Sequence, residues 1–152
     1  MTRIKKSIEI KSSPEKVFAV LDDSPNFPQW QEGIKEVKIT SNGGKRLEDH
    51  TGETAHFVMG FGGFKFEADF KVMKWIKNRL FVIESISGMK LNGEDIVEPI
   101  EGGTRVTWDF EYEIPFSLIG KVVDKLLFQK MLEKQMGQNL KNLKKLLEKH
   151  EQ

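Results

Sequence analysis

Cysteine is absent from this chain of 152 residues, so disulfide bonds, a thiol nucleophile and thiolate metal sites are all excluded. The three histidines, His50, His56 and His150, are too dispersed to suggest a metal site. No apolar run approaches the length of a membrane span, and the N-terminus lacks the apolar core of a signal peptide. We therefore expect a soluble, cytoplasmic protein that holds no metal and no cofactor.

A dominant charge of one sign is also missing. Lysine and arginine total 24 and aspartate and glutamate total 23, which gives a formal net charge of +1 with the two signs interspersed. This balance argues against a nucleic-acid partner. The last turns of the chain are locally basic, which fits either a solvated helix end or a surface that meets a membrane or a partner.

Signature motifs of the common enzyme classes are absent as well. The chain contains no GxSxG, no P-loop and no HExxH, and the glycines at 60, 62 and 63 lie between strands rather than at the start of a helix. The length and the apolar content of 38% fit one globular domain over residues 1–152, with room for a core and a cavity.

The chain does contain a series of short segments in which apolar and polar residues alternate. In residues 64–75, Phe66, Ala68 and Phe70 alternate with charged residues, which is typical of a strand with one buried face. Similar segments bounded by glycine-rich turns predict seven strands, at residues 3–11, 34–41, 51–60, 64–75, 80–87, 93–100 and 104–114. Most connections are short, so neighbouring strands should be antiparallel.

Helical signals lie at two places. Ser13 followed by Pro14 and an acidic residue marks the start of a short helix, and the proline-containing segment 22–30 predicts a second short helix or turn. Residues 116–150 contain no proline and predict one long C-terminal helix. Because its two apolar stripes are out of register, the helix is expected to bend, twist or change its packing partner near residues 129–131. The stripes consist of Ile119, Val122, Val123, Leu126 and Leu127, and of Leu132, Met136, Leu140, Leu143 and Leu147.

This order of elements resembles the START-related (SRPBCC) superfamily, and within it the polyketide cyclase/dehydrase and coenzyme Q-binding branch. The resemblance rests on Ser-Ser-Pro-Glu-Lys-Val-Phe at 12–18, Phe-Pro-Gln-Trp at 27–30, Gly88, and Gly-Gly-Thr-Arg-Val-Thr-Trp at 102–108. It implies an α+β helix-grip fold, in which a seven-stranded antiparallel sheet curls around the long C-terminal helix and two short helices follow the first strand. A hydrophobic cavity is expected between sheet and helix, whereas the activity is not implied, because members share the fold and differ in chemistry.

Aromatic side chains are concentrated on the face expected to line that cavity. They form either an ordinary core or an apolar ligand pocket in which Tyr112 is a polar contact. Phe61, in the glycine-rich turn 60–63, either anchors the turn or covers the mouth of the cavity. The predicted ligand-binding residues are Phe57, Met59, Phe61, Phe66, Phe70, Trp108, Phe110, Tyr112, Leu127 and Met131.

The candidates for acid–base chemistry are Asp95, Glu84 and Tyr112. On the family alignment Asp95 points inward with Val97, where a buried acid would have a raised pKa and could polarise a carbonyl or act as a base. If Ile96 points inward instead, Asp95 is exposed, and alternation alone does not choose between the two. Glu84 has the same ambiguity. His56 is expected on the face opposite the buried one.

Three functions are compatible with these features. The protein could be a carrier or sensor for a lipid, a quinone or a polyketide-like molecule, an aromatase/cyclase-type enzyme, or an interaction protein that uses its basic helix end and Phe61. The first two imply a hydrophobic small molecule as the partner, with no nucleic acid and no integral membrane association. A homodimer is left open.

Overall fold

The computed structural model describes residues 1–61, 63–114 and 124–149, and Phe61 only by its backbone. A seven-stranded antiparallel sheet forms most of the fold, as predicted. Its strands are β1 (Thr2–Ile10), β2 (Ile34–Ile39), β3 (Thr54–Phe61), β4 (Phe64–Ile76), β5 (Leu80–Gly88), β6 (Leu91–Ile100) and β7 (Gly103–Tyr112). The third strand begins later than expected, because a turn around Gly52, with a φ of 85°, precedes it.

The strands follow the order β1-β7-β6-β5-β4-β3-β2, so the first strand pairs with the last and the rest form a meander. The register shifts once between β2 and β3 and twice between β4 and β5. Extra residues of this kind bend a strand and increase its twist. They contribute to the curl of the sheet, whose concave face carries the core.

The alternation read in β4 is confirmed. Phe66, Ala68 and Phe70 are buried, and the charged residues between them are exposed or half-buried. In β7 the same period buries Trp108 and Tyr112. The two strands therefore present aromatic side chains to the same interior.

Two short helices follow β1, as predicted. In α1 (Pro14–Leu21) the Ser13 hydroxyl accepts a hydrogen bond from the backbone N–H of Lys16 at 3.3 Å, which caps the helix. A 3₁₀ helix (Ser24–Gln29) comes next, and a further short 3₁₀ turn (Asn42–Gly44) follows β2. The buried side of α1 consists of Val17, Phe18 and Leu21.

The long C-terminal helix, α2 (Lys125–Lys149), packs against β1 and covers the concave face of the sheet. The buried residues of α2 are Phe128, Met136, Asn139, Leu140, Leu143 and Leu147. The second predicted stripe is therefore confirmed, with Leu132 half-buried. Residues 116–123, the predicted first turns of this helix, lie outside the described residues. None of the described helices is long and apolar enough to cross a membrane.

The burial expected of Leu126 and Leu127 is wrong, since their side chains are 59% and 57% exposed. Residues four apart share one face of a helix, so the buried face extends back from Leu132 to Phe128 rather than to Leu127. A single face thus runs from Phe128 to Leu147. The described helix therefore has no change of face that would require the expected bend, twist or change of packing partner.

Candidate functional site

An apolar cavity of about 190 Å³ lies between the concave face of the sheet and α2. Every strand contributes to its wall, as do α1, the first 3₁₀ helix and α2. Its apolar lining residues are Ile4, Leu21, Phe27, Ile34, Ala55, Phe57, Met59, Phe66, Phe70, Val72, Phe81, Ile83, Met89, Leu91, Trp108, Phe110, Tyr112, Phe128, Leu132 and Met136. The cavity predicted between sheet and long helix is therefore present.

Most of the predicted ligand-binding residues line this cavity. They are Phe57, Met59, Phe66, Phe70, Trp108, Phe110 and Tyr112. Leu127 and Met131 do not, because both precede by one residue the positions of α2 that face inward, and they are 57% and 39% exposed. The side chain of Phe61 lies outside the described part of the chain.

The carboxylate of Glu84 lies on the outer face of the sheet. In β5 the odd-numbered residues Phe81 and Ile83 face the cavity, so Glu84 is exposed to solvent. The outward alternative for Glu84 is therefore the one that the structure shows, and its carboxylate cannot act on a ligand inside the cavity. His56 is also on the outer face, as expected, and its Nδ1 lies 2.9 Å from Oδ1 of Asp69.

The aromatic side chains of the cavity contact one another in series. The rings of Trp108 and Phe110 are nearly parallel, at 15° with centroids 5.9 Å apart, and Trp30 lies beside Trp108 at 6.3 Å. Phe57 meets Phe70 edge to face at 5.0 Å. Such aromatic surfaces favour flat apolar molecules, because offset stacking and edge contacts add to area burial.

Gly93 makes the placement of Phe110 possible. The two residues are directly opposite each other in the β6–β7 ladder, and a Cβ atom built on Gly93 would lie 1.7 Å from the Phe110 ring. The ring therefore occupies the space above the glycine backbone, and any larger residue at 93 would displace it.

Asp95 is buried at the cavity wall, with 5% of its surface exposed. It is directly opposite Trp108 in the β6–β7 ladder, and the indole Nε1–H donates a hydrogen bond to Oδ2 at 2.9 Å. Burial raises the pKa of Asp95 to about 8, and the negative charge of Asp22 adds to this effect, while the indole hydrogen bond opposes it. The inward alternative for Asp95 is the one that the structure shows, and the side chain is a neutral acid at pH 7.

Tyr112 is also enclosed, and it is directly opposite Leu91 in the β6–β7 ladder. Burial raises the pKa of the Tyr112 phenol, which keeps it protonated. Its ring packs against Phe128 of α2 with centroids 5.7 Å apart. Tyr112 therefore supplies a wall of the cavity at the point where α2 begins.

A charged network that sequence reasoning missed borders the cavity near the end of α1. Arg46 pairs with Glu53 through Nη2 and Oε1 at 2.7 Å, and its Nη1 donates to the backbone oxygen of Asp22 at 2.7 Å. His50 Nδ1 lies 2.8 Å from Oδ2 of Asp22, and the indole of Trp75 donates to Oδ1 at 3.1 Å. Arg46, Glu53 and Asp22 all line the cavity. These hydrogen bonds and ion pairs connect the segment between β2 and β3 to the end of α1.

Asn139 of α2 was missed as well. Its amide accepts a hydrogen bond from the Glu32 backbone N–H at 2.7 Å and donates one to the Glu32 backbone oxygen at 3.1 Å. Asn142 donates to the backbone oxygen of Trp30 at 2.9 Å. A signal for this contact exists in the sequence, because Asn139 is three residues after Met136 and four before Leu143, on the apolar stripe itself.

No group of histidine, aspartate and glutamate side chains in the described ranges could hold a metal ion. The chemistry that the described cavity offers is apolar contact, aromatic stacking, one buried carboxylic acid at Asp95, and the charged network of Arg46, Glu53 and Asp22 at its border.

The curled sheet, the long helix and the cavity between them define a helix-grip protein of the START-related superfamily. The chain belongs to the family described as polyketide cyclase / dehydrase and lipid transport, whose pattern matches residues 1–148. The resemblance seen in the sequence is thereby confirmed. No protein of curated function matches the chain.

Several solved structures share the fold. TTHA0849 from Thermus thermophilus is 18% identical, with a TM-score of 0.80, and the match covers 99% of this chain and 100% of that one. A START superfamily protein from Mycobacterium smegmatis is 18% identical with a TM-score of 0.72, covering 97% of both chains. The Zhui aromatase/cyclase from Streptomyces sp. R1128 is 12% identical with a TM-score of 0.71, covering 99% of this chain and 96% of that one. At these identities the likeness concerns the fold.

Proposed function

We propose that this protein binds a hydrophobic small molecule in the cavity between sheet and α2, as a carrier or sensor. The observation that carries the proposal is the cavity itself, whose wall is mostly apolar and rich in aromatic rings. Protein interiors are normally packed with few voids larger than a water molecule. A void of about 190 Å³ that stayed empty would cost on the order of 5 kcal/mol of stability, and a bound ligand would offset that loss.

The volume also indicates the size of the part of the ligand that is enclosed. An apolar cavity of about 150 Å³ accommodates benzene, so the described cavity suits one or two fused rings or the end of a chain. Lipids, quinones and polyketide-like molecules all present such groups. The described wall offers a single buried acid and no paired nucleophile and base, which favours binding over catalysis.

Native mass spectrometry of the protein purified from its own cells tests this proposal. A bound molecule that is released on denaturation is expected. In parallel, an apolar fluorophore should bind the folded protein and be displaced by fatty acids or quinones. A protein that carries nothing and binds none of these compounds would contradict the proposal.

A matched pair of variants locates the binding site. Ala55 lines the cavity, and Ala55→Leu adds three carbon atoms inside it. Ala19 is on the exposed side of α1, so Ala19→Leu makes the same change outside the cavity. We expect Ala55→Leu to weaken fluorophore binding and Ala19→Leu to leave it unchanged. Equal binding by both variants would place the fluorophore elsewhere.

Asp95 favours a second candidate, an aromatase/cyclase-type enzyme. A carboxylic acid that is neutral near pH 7 and lies at the wall of a cavity can protonate or polarise a ligand carbonyl while the cavity holds a reactive chain in a folded shape. For an enzyme, Asp95→Asn should retain affinity for a poly-β-ketone analogue and lose its conversion. If no such analogue is converted by the unaltered protein, the carrier or sensor function is favoured.

A further inference from the structure

The two carboxyl oxygens of Asp95 differ in their hydrogen-bond partners. Oδ2 accepts the hydrogen bond from the Trp108 indole at 2.9 Å. No described residue donates to Oδ1, yet no fully enclosed side-chain oxygen or nitrogen among the described residues lacks a partner. Oδ1 is therefore not sealed in the wall but open to the cavity that Asp95 lines.

The position of the proton follows from the partner of Oδ2. An indole N–H can only donate, so Oδ2 must act as an acceptor. Enclosure by the β6–β7 wall favours the uncharged acid, and Asp22 at the end of α1, the charged group that acts on Asp95 most strongly, disfavours a second negative charge. Arg46, which could compensate a carboxylate, is already paired with Glu53. Because the carbonyl oxygen of a carboxylic acid is a better acceptor than its hydroxyl oxygen, the proton of the neutral acid is assigned to Oδ1, which is open to the cavity.

We propose that the ligand is a flat apolar molecule that carries a hydrogen-bond acceptor, a ring-conjugated carbonyl, and that Asp95 donates a hydrogen bond from Oδ1 to it. This inference rests on the proposed function, since it names the chemistry of the molecule bound in the same cavity. The stacked pair of Trp108 and Phe110 adjoins the acid along β7 and offers the face on which the conjugated ring lies. A purely apolar ligand would leave the buried O–H without a partner, which lowers affinity.

A pair of isosteric probes tests the hydrogen bond. Acetophenone carries a carbonyl where α-methylstyrene carries a methylene group, and each contains one ring. The dissociation constants of both are measured by NMR titration on the unaltered protein, on Asp95→Asn and on Asp95→Leu. The Asn amide can still accept from Trp108 and donate to the cavity, whereas Leu can do neither. For each protein, the dissociation constant of α-methylstyrene is divided by that of acetophenone. Comparing this ratio between proteins removes the contribution of the different hydration of the two probes.

We expect the preference for acetophenone over α-methylstyrene to be about 10-fold greater in the unaltered protein than in Asp95→Leu, as a net hydrogen bond of about 1.4 kcal/mol gives. Asp95→Asn should keep most of that preference. If both probes bind but the preference is the same in all three proteins, the cavity is real and the role of Asp95 is refuted. If neither probe binds the unaltered protein, the proposed function fails as well.

Two further measurements do not require the Asp95→Leu variant. The carbonyl stretching frequency of acetophenone should be lower when bound to the unaltered protein than in hexane, because a donated hydrogen bond weakens the C=O bond, and an unshifted band would overturn the proposal. Benzylamine, a cation of the same size, should bind more weakly than acetophenone. Tighter binding of benzylamine than of acetophenone that is lost in Asp95→Asn would show that Asp95, and not Asp22 or Glu53 of the same wall, acts as a carboxylate, and would overturn the proposal.

Discussion

Replacing Asp95 with asparagine is expected to stabilise the fold at neutral pH and to leave it unchanged in acid. The pKa of Asp95 is about 8 in the folded protein, against a usual value of 3.8 that applies once the chain unfolds. Below about pH 4 both states hold the proton, and the contribution of Asp95 to stability does not change with pH. Between the two values only the folded state holds the proton, so the free energy of unfolding falls as the pH rises, by about 1.4 kcal/mol per pH unit.

The magnitude follows from the width of that interval. At about pH 7 the loss attributable to Asp95 reaches about 4 kcal/mol, and above the folded pKa it levels off near 6 kcal/mol. The amide that Asp95→Asn introduces has no proton to lose and can keep the hydrogen bond with Trp108, so the variant lacks this loss. Other acids, such as Asp109 beside Arg3, titrate equally in both proteins. The difference between the two proteins therefore isolates Asp95.

Urea unfolding at several pH values provides the measurement. The variant should gain stability relative to the unaltered protein as the pH rises from about 4 to about 7. Asp109→Asn is the matched control, because its carboxylate is at the surface and its pKa is lowered by the hydrogen bond from Arg3. A difference between Asp95→Asn and the unaltered protein that stays constant with pH would refute the account of Asp95 as a buried neutral acid.

The remaining predictions concern α2. Leu140→Ala should cost about 2–5 kcal/mol of stability because the side chain is fully buried. Leu126→Ala, at an exposed position, should change the stability by less than about 0.5 kcal/mol. If the urea midpoints of both variants move equally, the assigned buried face of α2 is wrong. Gly137→Ala should stabilise the folded protein by about 0.5–1 kcal/mol, because the added Cβ would meet only the side chain of Lys6, at 3.7 Å. A lower melting temperature would show that the space for the methyl group is not available. Asn139→Ala should lower the melting temperature by an amount equivalent to about 1–3 kcal/mol, because it leaves backbone groups of the 30–33 loop unpaired. Hydrogen exchange of the amides in that loop should become faster. Unchanged exchange would contradict the role of Asn139 in holding the loop.

The fold could be predicted from the sequence because its strands have one solvent-exposed face and one buried face. In β4, Phe66, Ala68 and Phe70 alternate with charged residues so regularly that only one orientation satisfies both sides. The N-cap at Ser13 is equally local, since it depends on residues within one helical turn. Periodicity therefore predicted the strands and their buried faces correctly, whereas the cavity was expected from the resemblance to the START-related superfamily.

The polar parts of the site could not be predicted with the same certainty. Asp95 is followed by Ile96 and Val97, so either face of β6 could have been the buried one. The structure resolves the choice through Gly93, whose missing side chain admits the Phe110 ring on the same face as Asp95. The hydrogen bond from Arg46 to the backbone of Asp22 joins residues that are 24 positions apart, and no periodic pattern encodes such a contact.

Leu127 and Met131 show a different limit of pattern reading. Each is one residue from a position that faces the core, and an apolar residue beside a buried stripe looks the same in sequence as one within it. The register of α2 became clear only from the burial of Phe128 and Met136. Apolar content alone therefore overestimates how much of a helix is buried.

The contact between Trp108 and Asp95 has an optical consequence. The Trp108 indole is buried at the cavity wall, donates its N–H to an ionisable group and lies beside the Trp30 ring. Indole emission responds to the charge and polarity of its immediate surroundings, so filling the cavity or removing the acid's proton alters the light that this residue emits. The protein thus contains an intrinsic fluorophore at the cavity wall, hydrogen-bonded to the acid for which we propose a role in ligand recognition.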